Sequence, residues 1–290
     1  MITKKFTQFA VVLGLLASST LLSAVTASSQ ISFTVAGRNE SYIQTGNGNS
    51  VVSNIFFYSF DFNSISSGDF TAASFTPPGG VAQNIPFVSG SAYHFQTGAY
   101  STQAQMDAAF PIGNYSATGT GGAFGPQTTT FNYAADHYSS SQPYLTGTDF
   151  SMLQGVNAQS AITFHFSPFT ADPTLSDQFR FLTIYDYTLN AFVFDAGFLA
   201  RTVNSVTISA NTLRSGDLFG YELIDSDRLV VPATNSFFDT TLLFDRRTTG
   251  TFRTAAAAVP EPGVLQFGTL LAMFGAVVGL YARRKRTVLS

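Results

Sequence analysis

Hydrophobic and polar residues alternate in short runs along the middle of the chain, as expected for strands that bury one face. In the clearest run the apolar positions are Phe56, Tyr58, Phe60 and Phe62, and the polar positions between them are Ser59, Asp61 and Asn63. The same two-residue period recurs at 162–167, 192–198 and 206–210. Turn-forming residues separate these runs. We therefore predict an all-β fold of one or two β-sandwich domains.

Two further features divide the body of the chain. A short helix is predicted around 102–110, and a glycine-rich stretch at 119–126 is the best internal boundary. The boundary predicts a β-rich domain at 28–122 and a β-sandwich domain at 126–247. Few apolar anchors follow, so 248–258 is predicted to be a linker.

Charge and cysteine content exclude several classes of function. Between Ser28 and Pro262 eight arginines face seventeen acidic residues, a net charge of −9. An acidic body of this kind argues against binding to nucleic acid, which requires a basic surface. The chain has no cysteine, so it can form neither a disulfide nor a thiolate metal site.

The N-terminus has the layout of a secretory signal peptide, predicted over residues 1–27. Lys4 and Lys5 precede an apolar run from Phe9 to Ala17, and small residues follow it. Cleavage by signal peptidase is predicted after Ala27, with Ala24 as the second choice.

The C-terminus carries a predicted membrane helix. Residues 264–282 are nineteen positions with two polar side chains, and as a helix they would reach about 28 Å, one bilayer core. The next four residues are basic: Arg283, Arg284, Lys285 and Arg286. Basic residues beside a span stay in the cytoplasm, so the body is predicted to lie on the far side of the inner membrane.

A short motif stands just before this helix: Val259, Pro260, Glu261 and Pro262. This motif, the apolar span and the arginine-rich end together resemble the PEP-CTERM sorting signal of Gram-negative bacteria, which would cover 259–286. The resemblance implies that an exosortase in the inner membrane cuts near the motif. The protein would then be anchored transiently and passed to the cell surface or secreted.

The second predicted domain also resembles a fibronectin-III or immunoglobulin-like module. At 205–224 a strand, Leu213 and Gly216 precede an aromatic strand, as at the tyrosine corner of such modules. Phe219 occupies the usual tyrosine position, although phenylalanine cannot donate the corner hydrogen bond. The run from Ala108 to Tyr115 is a candidate for an analogous corner in the first domain.

Catalytic chemistry is not indicated by any motif. His94 and His137 stand among polar residues in predicted loops or edge strands, and His165 falls on the polar side of an alternating strand. The acidic pair Asp225 and Asp227 lacks the glycine and distal glutamate of a calcium loop, so it is predicted to form a turn. No catalytic residue, metal site or cofactor is predicted.

These observations favour an exported surface or extracellular-matrix protein with a structural or adhesive, non-enzymatic role. A polysaccharide-binding module is the first alternative, with extracellular polysaccharide as the partner. A glycoside hydrolase with a carboxylate pair that sequence does not reveal is the second.

Overall fold

The computed structural model of the chain describes residues 30–122, 125–236 and 238–256. The strands in these ranges are β1 (Ile31–Gln44), β2 (Val51–Ser64), β3 (Ala72–Thr76), β4 (Gln83–Ile85), β5 (Phe87–Ser89), β6 (Ala92–Gln96), β7 (Gly113–Thr120), β8 (Gln127–Tyr133), β9 (Ile162–His165), β10 (Asp177–Asp186), β11 (Ala191–Asp195), β12 (Leu199–Ala200), β13 (Ser205–Ile208), β14 (Leu218–Val231) and β15 (Thr240–Arg253). Two short helices are α1 (Gln103–Ala109) and α2 (Asp149–Leu153). The prediction of a mostly β body is confirmed.

Nine of these strands form one large sheet. Its order is β11-β10-β14-β15-β1-β2-β6-β5, and β12 also pairs with β10. The first and last strands of the described body, β1 and β15, are parallel neighbours in the middle of this sheet. Its other pairings are antiparallel.

A four-stranded sheet, β4-β3-β7-β8, covers one half of the large sheet. Aromatic rings from the two sheets meet between them. Phe60 of β2 stacks on Phe75 of β3 with ring centroids 4.8 Å apart. Tyr58 of β2 stacks at 4.4 Å on Phe110, the residue that follows α1. The alternation at 56–62 predicted this buried face of β2, and Tyr58, Phe60 and Phe62 are indeed buried. Ser59, Asp61 and Asn63 on the predicted polar face are buried as well, so β2 is not covered on one side alone.

A two-stranded sheet, β9 with β13, covers the other half together with α2. Phe164 of β9 is fully buried and packs edge-on against Tyr221 and Phe252. The next residue, His165, is exposed, as its position on the polar side of the strand predicted.

Both hydrophobic cores lie on the same side of the large sheet. Directly paired residues share a face, as do residues two apart along a strand. Phe60 pairs with Ala36, which pairs with Leu242 of β15, and all three belong to the first core. Phe252, at an even spacing along β15, belongs to the second core. We call this side the inner face and the opposite side the outer face.

The glycine-rich stretch at 119–126 is not a boundary between two folded pieces in this structure. It joins β7 to β8, which pair as an antiparallel hairpin from Gly113–Tyr133 to Gly119–Gln127. Strands from both predicted domains, 28–122 and 126–247, share the large sheet. The glycines and the proline connect two strands of one sheet. Such a connection and a linker between domains have the same local composition.

The predicted linker at 248–258 likewise begins inside a strand, because β15 continues to Arg253. Its polar residues are used in packing. The buried Thr248 donates its hydroxyl to the Pro143 carbonyl. Gly250 lies where the Tyr221 ring crosses β15, and a Cβ atom there would come within 2.5 Å of that ring.

Two local predictions are confirmed by hydrogen bonds. The helix predicted at 102–110 is α1, and Thr102 caps it by accepting a hydrogen bond from the Gln105 amide at 3.3 Å. The corner expected near Tyr115 is present, because its hydroxyl donates to the Pro111 carbonyl at 2.8 Å. Phe219 instead lies inside β14 and stacks on Phe252 at 5.4 Å.

Candidate functional site

Every residue predicted to direct sorting lies outside the described residues. This holds for the cleavage position Ala27, the motif at 259–262, the helix at 264–282 and the basic cluster at 283–286. The two helices that the structure describes are both too short to cross a membrane. The signal peptide, the sorting tail and the anchor therefore stay predictions.

The described body brings together a group of charged side chains that sequence reasoning did not single out. We call it the charged belt: Arg38, Glu40, Arg180, Asp225, Asp227 and Arg246. It lies on the inner face between the two hydrophobic cores. Four of its members are consecutive cross-strand partners, so their charges alternate across β1, β15, β14 and β10: Glu40, Arg246, Asp225 and Arg180.

Arg180 and Asp225 form the most completely buried pair of the belt. Nε and Nη2 of Arg180 donate to the two Asp225 carboxylate oxygens at 2.6 and 2.8 Å, which is bidentate geometry. The same guanidinium donates to the carbonyls of Ser167 and Val203 at 2.9 and 3.1 Å. It also lies over the Phe166 ring at 5.3 Å. Arg180 therefore ties two loops to the centre of the sheet.

Arg38 likewise fixes other segments of the chain to the large sheet, at the edge of the first core. Its guanidinium pairs with Asp107 of α1 and with Asp136 in the loop after β8, the latter at 3.2 Å. It also donates to the Phe110 carbonyl at 3.3 Å and lies over the Tyr133 ring at 5.1 Å. One buried side chain thus holds α1 and a crossing loop against β1.

Asp227 is the belt carboxylate without an arginine partner in the described structure. It is fully buried and accepts a hydrogen bond from the Asp172 amide at 3.3 Å. Burial raises the pKa of Asp227 to about 7, and the nearby carboxylates of Asp172, Asp225 and Asp245 add to the increase. Asp227 can therefore change its charge near neutral pH.

The turn predicted for Asp225 and Asp227 is wrong. Both lie inside β14, where they pair with Arg246 and Phe244 of β15. Acidic residues are buried in this strand because Arg180 and the Asp172 amide supply hydrogen bonds from distant parts of the chain. The sequence did contain a signal for this. Every second residue from 219 to 231 is apolar except Asp225 and Asp227, so these two carboxylates occupy positions of the apolar face.

The three histidines each pair through Nδ1 with an aspartate. His94 lies buried within β6, 2.6 Å from Asp61, rather than in exposed loop or edge sequence. His137 lies in a loop 2.9 Å from Asp172, and His165 on β9 lies 3.0 Å from Asp149. Each of these pairs joins separate segments of the chain, which is a structural role.

The outer face carries a second polar cluster, centred on Arg247. This guanidinium donates to Asp245 at 2.8 Å, lies 3.5 Å from Glu222 and stands over the Phe57 ring at 5.4 Å. Ser226 donates to the other Asp245 oxygen at 2.6 Å. Burial raises the pKa of Glu222, and the charge of Arg247 opposes that increase. These contacts join β14, β15 and β2 on the side opposite the belt.

The third polar surface is exposed and uncharged. The outward positions of the four-stranded sheet carry only Ala72, Ser74, Thr76, Asn84, Asn114, Ser116, Thr118, Thr120, Thr128, Thr130 and Asn132. We call this surface the threonine face. Its side chains order one another across strands, with Thr118 and Thr128 hydroxyls 2.8 Å apart and Asn132 donating to Asn114 at 2.6 Å.

Comparisons with known proteins give distant likenesses. No family model and no curated protein matches the chain. It is similar to the BSP domain of a biofilm associated protein, with 12% identity and a TM-score of 0.21 over 80% of this chain and 30% of that one. It is also similar to the FN1–FN3 domains of chicken CNTN1, with 8% identity and a TM-score of 0.23 over 76% of this chain and 67% of that one.

A third likeness is to a 1.5-MDa bacterial ice-binding adhesin, with 13% identity and a TM-score of 0.23 over 77% of this chain and 65% of that one. At such TM-scores these likenesses assign no function to any residue. The chain spans only 30% of the first of these proteins.

Replacing Arg180 by Met tests the belt, because Asp225 would stay buried without its partner. We expect the free energy of unfolding to fall by about 3–5 kcal/mol, as for other broken buried ion pairs. The double change Arg180→Met with Asp225→Leu should cost less, since it leaves no unpaired charge. Urea unfolding measures both, with the exposed Arg201→Met as control. A double variant no more stable than the single one would contradict the pairing.

Replacing Asp227 by Asn tests its titration. The folded state holds the proton up to about pH 7, whereas an unfolded aspartate loses it near a pKa of about 3.9. Asp227 should therefore destabilise the fold increasingly as pH rises from 4 to 7, by up to about 1.4 kcal/mol per pH unit.

Urea unfolding at several pH values should show that Asp227→Asn lacks this slope and is more stable than the natural protein at pH 8. Val230→Ala changes an exposed residue of the same strand, removes no titrating group and should retain the slope. An unchanged slope in Asp227→Asn would show that another group titrates.

Proposed function

We propose that the chain is an exported bacterial cell-surface or extracellular-matrix protein with a structural or adhesive, non-enzymatic role. The observation that carries this proposal is the extent of the folded body. β1 begins at Ile31, four residues after Ala27, and β15 ends at Arg253, six residues before Val259. One sheet system therefore fills the interval between the two predicted processing positions, as a protein that is trimmed at both ends and released requires.

The charged belt supports a structural role for the body. Its arginines and carboxylates are directed at one another and at loop carbonyls, and Arg38, Arg180 and Asp225 are at most 1% exposed. Buried groups held in this way fix the loops to the sheet. They are covered by those same loops, so an external substrate would not reach them without displacing the cover.

For delivery, we infer the route that the two ends of the sequence favour. Signal peptidase would cut after Ala27, and an exosortase would act at 259–262 while the helix at 264–282 holds the chain in the inner membrane. The cluster at 283–286 would stay in the cytoplasm. The mature protein would then be found at the cell surface or in the extracellular matrix.

Replacing Pro260, Glu261 and Pro262 together by alanine tests this route. We expect the altered protein to accumulate in the inner-membrane fraction, because the exosortase would no longer recognise it. Fractionation with immunoblotting measures the distribution, and mass spectrometry of the natural protein at the surface should detect nothing after the motif. Pro173→Ala, an exposed proline in the body, is the control. Surface protein that still contains 283–290 would contradict processing.

A second candidate function is binding of an uncharged polysaccharide, which the threonine face favours. The four strands of that sheet contain no charged residue, in a chain whose described body is otherwise acidic. Hydroxyl and amide groups that already order one another can donate to and accept from sugar hydroxyls at little cost in side-chain entropy. The ligand would be a neutral glycan in the extracellular matrix of the bacterium that makes the protein.

Removing hydroxyls from the threonine face tests this second candidate. The double variant Thr118→Ala with Thr128→Ala should weaken binding of the host's neutral polysaccharide several-fold in calorimetry. Thr163 and Thr207, whose hydroxyls lie 2.9 Å apart on the two-stranded sheet, supply a matched control pair. Equal losses in the two double variants, or no binding by the natural protein, would count against this face as the site.

A further inference from the structure

The pairing of β1 with β15 joins the two ends of the folded body. We call it the terminal seam: residues 35–43 of β1 paired in parallel with residues 241–249 of β15. Both strands have a second neighbour, since β2 flanks β1 and β14 flanks β15. Neither strand is at an edge of the sheet, so neither can be peeled away from an open side.

The direction of the two strands determines how a pulling force would load the seam. Because they are parallel, β1 begins at the opposite end of the seam from the point where β15 ends. At a rise of about 3.3 Å per residue these two points lie about 50 Å apart along the strands. A force that separates Gln30 from Ala256 therefore acts along the strands, and it stretches the hydrogen bonds of the seam together rather than one after another.

Side chains reinforce the seam along its whole length. The hydroxyls of Thr34 and Thr240 lie 2.6 Å apart at one end, Glu40 pairs with Arg246 at 3.2 Å in the middle, and Thr249 donates to the Tyr42 carbonyl at 3.3 Å near the other end. These contacts resist sliding of one strand along the other.

Both faces of the seam are also shielded from water. Buried inner-face residues along it are Ala36, Arg38, Tyr42, Leu242, Phe244 and Thr248, and buried outer-face residues include Val35, Asn39, Ser41 and Asp245. Water cannot readily replace a backbone hydrogen bond that it does not reach, so the strands must separate before solvent can assist.

We propose that the terminal seam makes the body a force-resisting unit, which unfolds under tension between its ends only when β1 and β15 shear past each other. A surface protein held at one end and pulled at the other would use this property. The inference rests on the strand pairing and side-chain contacts of the body and not on the sorting signals, so its failure would leave the proposed surface location untouched.

Single-molecule force spectroscopy on the full-length chain in detergent tests the seam, because the chain has no cysteine and handles can be attached at introduced ones. Gln30→Cys with Ala256→Cys loads the seam in shear. Arg214→Cys with Ala256→Cys instead opens the antiparallel β14–β15 pair from one end, residue by residue. At one loading rate we expect the first geometry to break at a severalfold higher force. Equal or lower forces in the first geometry would overturn the proposal.

A side-chain variant keeps the test independent of the handles. Thr249→Val removes the hydroxyl that crosses the seam, so it should lower the rupture force between residues 30 and 256. Thr251→Val changes β15 beyond the seam, where its pairing is with Gly220 of β14, and should leave that force unchanged. A loss of force as large in Thr251→Val as in Thr249→Val would also overturn the proposal.

Discussion

The architecture depends on the alternation of charge across four neighbouring strands of the large sheet, β1, β15, β14 and β10. The large sheet is covered by two smaller sheets that do not meet, so the strip of inner face between them is crossed by loops. Loop backbone carries polar groups that an apolar strip could not satisfy. The charged belt supplies these partners, because Arg38 and Arg180 donate to loop carbonyls. Asp107 and Asp136 balance the charge of Arg38, and Asp225 on the neighbouring strand balances that of Arg180.

The body contains more acidic residues than arginines, so arginine side chains cannot balance every carboxylate. With eight arginines for seventeen acidic residues, some carboxylates must do without an arginine partner, and among the described residues the buried Asp227 is one of them. Asp225 is paired with Arg180, which opposes the increase that burial causes in its pKa, whereas Asp227 relies on a backbone amide and its pKa rises to about 7. A buried carboxylate can be tolerated in this way because the neutral form avoids most of the cost of desolvation.

Local features of the fold could be predicted from the sequence, because their causes are local. The two-residue alternation correctly assigned the buried face of β2 and the opposite directions of Phe164 and His165. The cap at Thr102 and the corner at Tyr115 depend on hydrogen bonds that span three and four residues.

Features decided by distant partners could not be predicted. Asp225 looks like a turn residue until Arg180, forty-five positions away, is placed beside it. The glycines at 119–126 favour a linker and a hairpin turn equally, and only the pairing of β7 with β8 distinguishes them. The one sequence signal that could have indicated the belt is the presence of charged residues at positions where the two-residue alternation calls for apolar ones.

The parallel seam has a consequence for the order in which the fold can form. The cross-seam contact between Thr34 and Thr240 joins residues 206 positions apart, whereas the hairpins of the four-stranded sheet are local. Contacts of high sequence separation form late, because the chain between them must first be ordered. Because the chain is synthesised from its N-terminus, β1 must therefore wait for β15 before the centre of the large sheet can close. The pairing that ties the two ends together is then also the step that completes the fold.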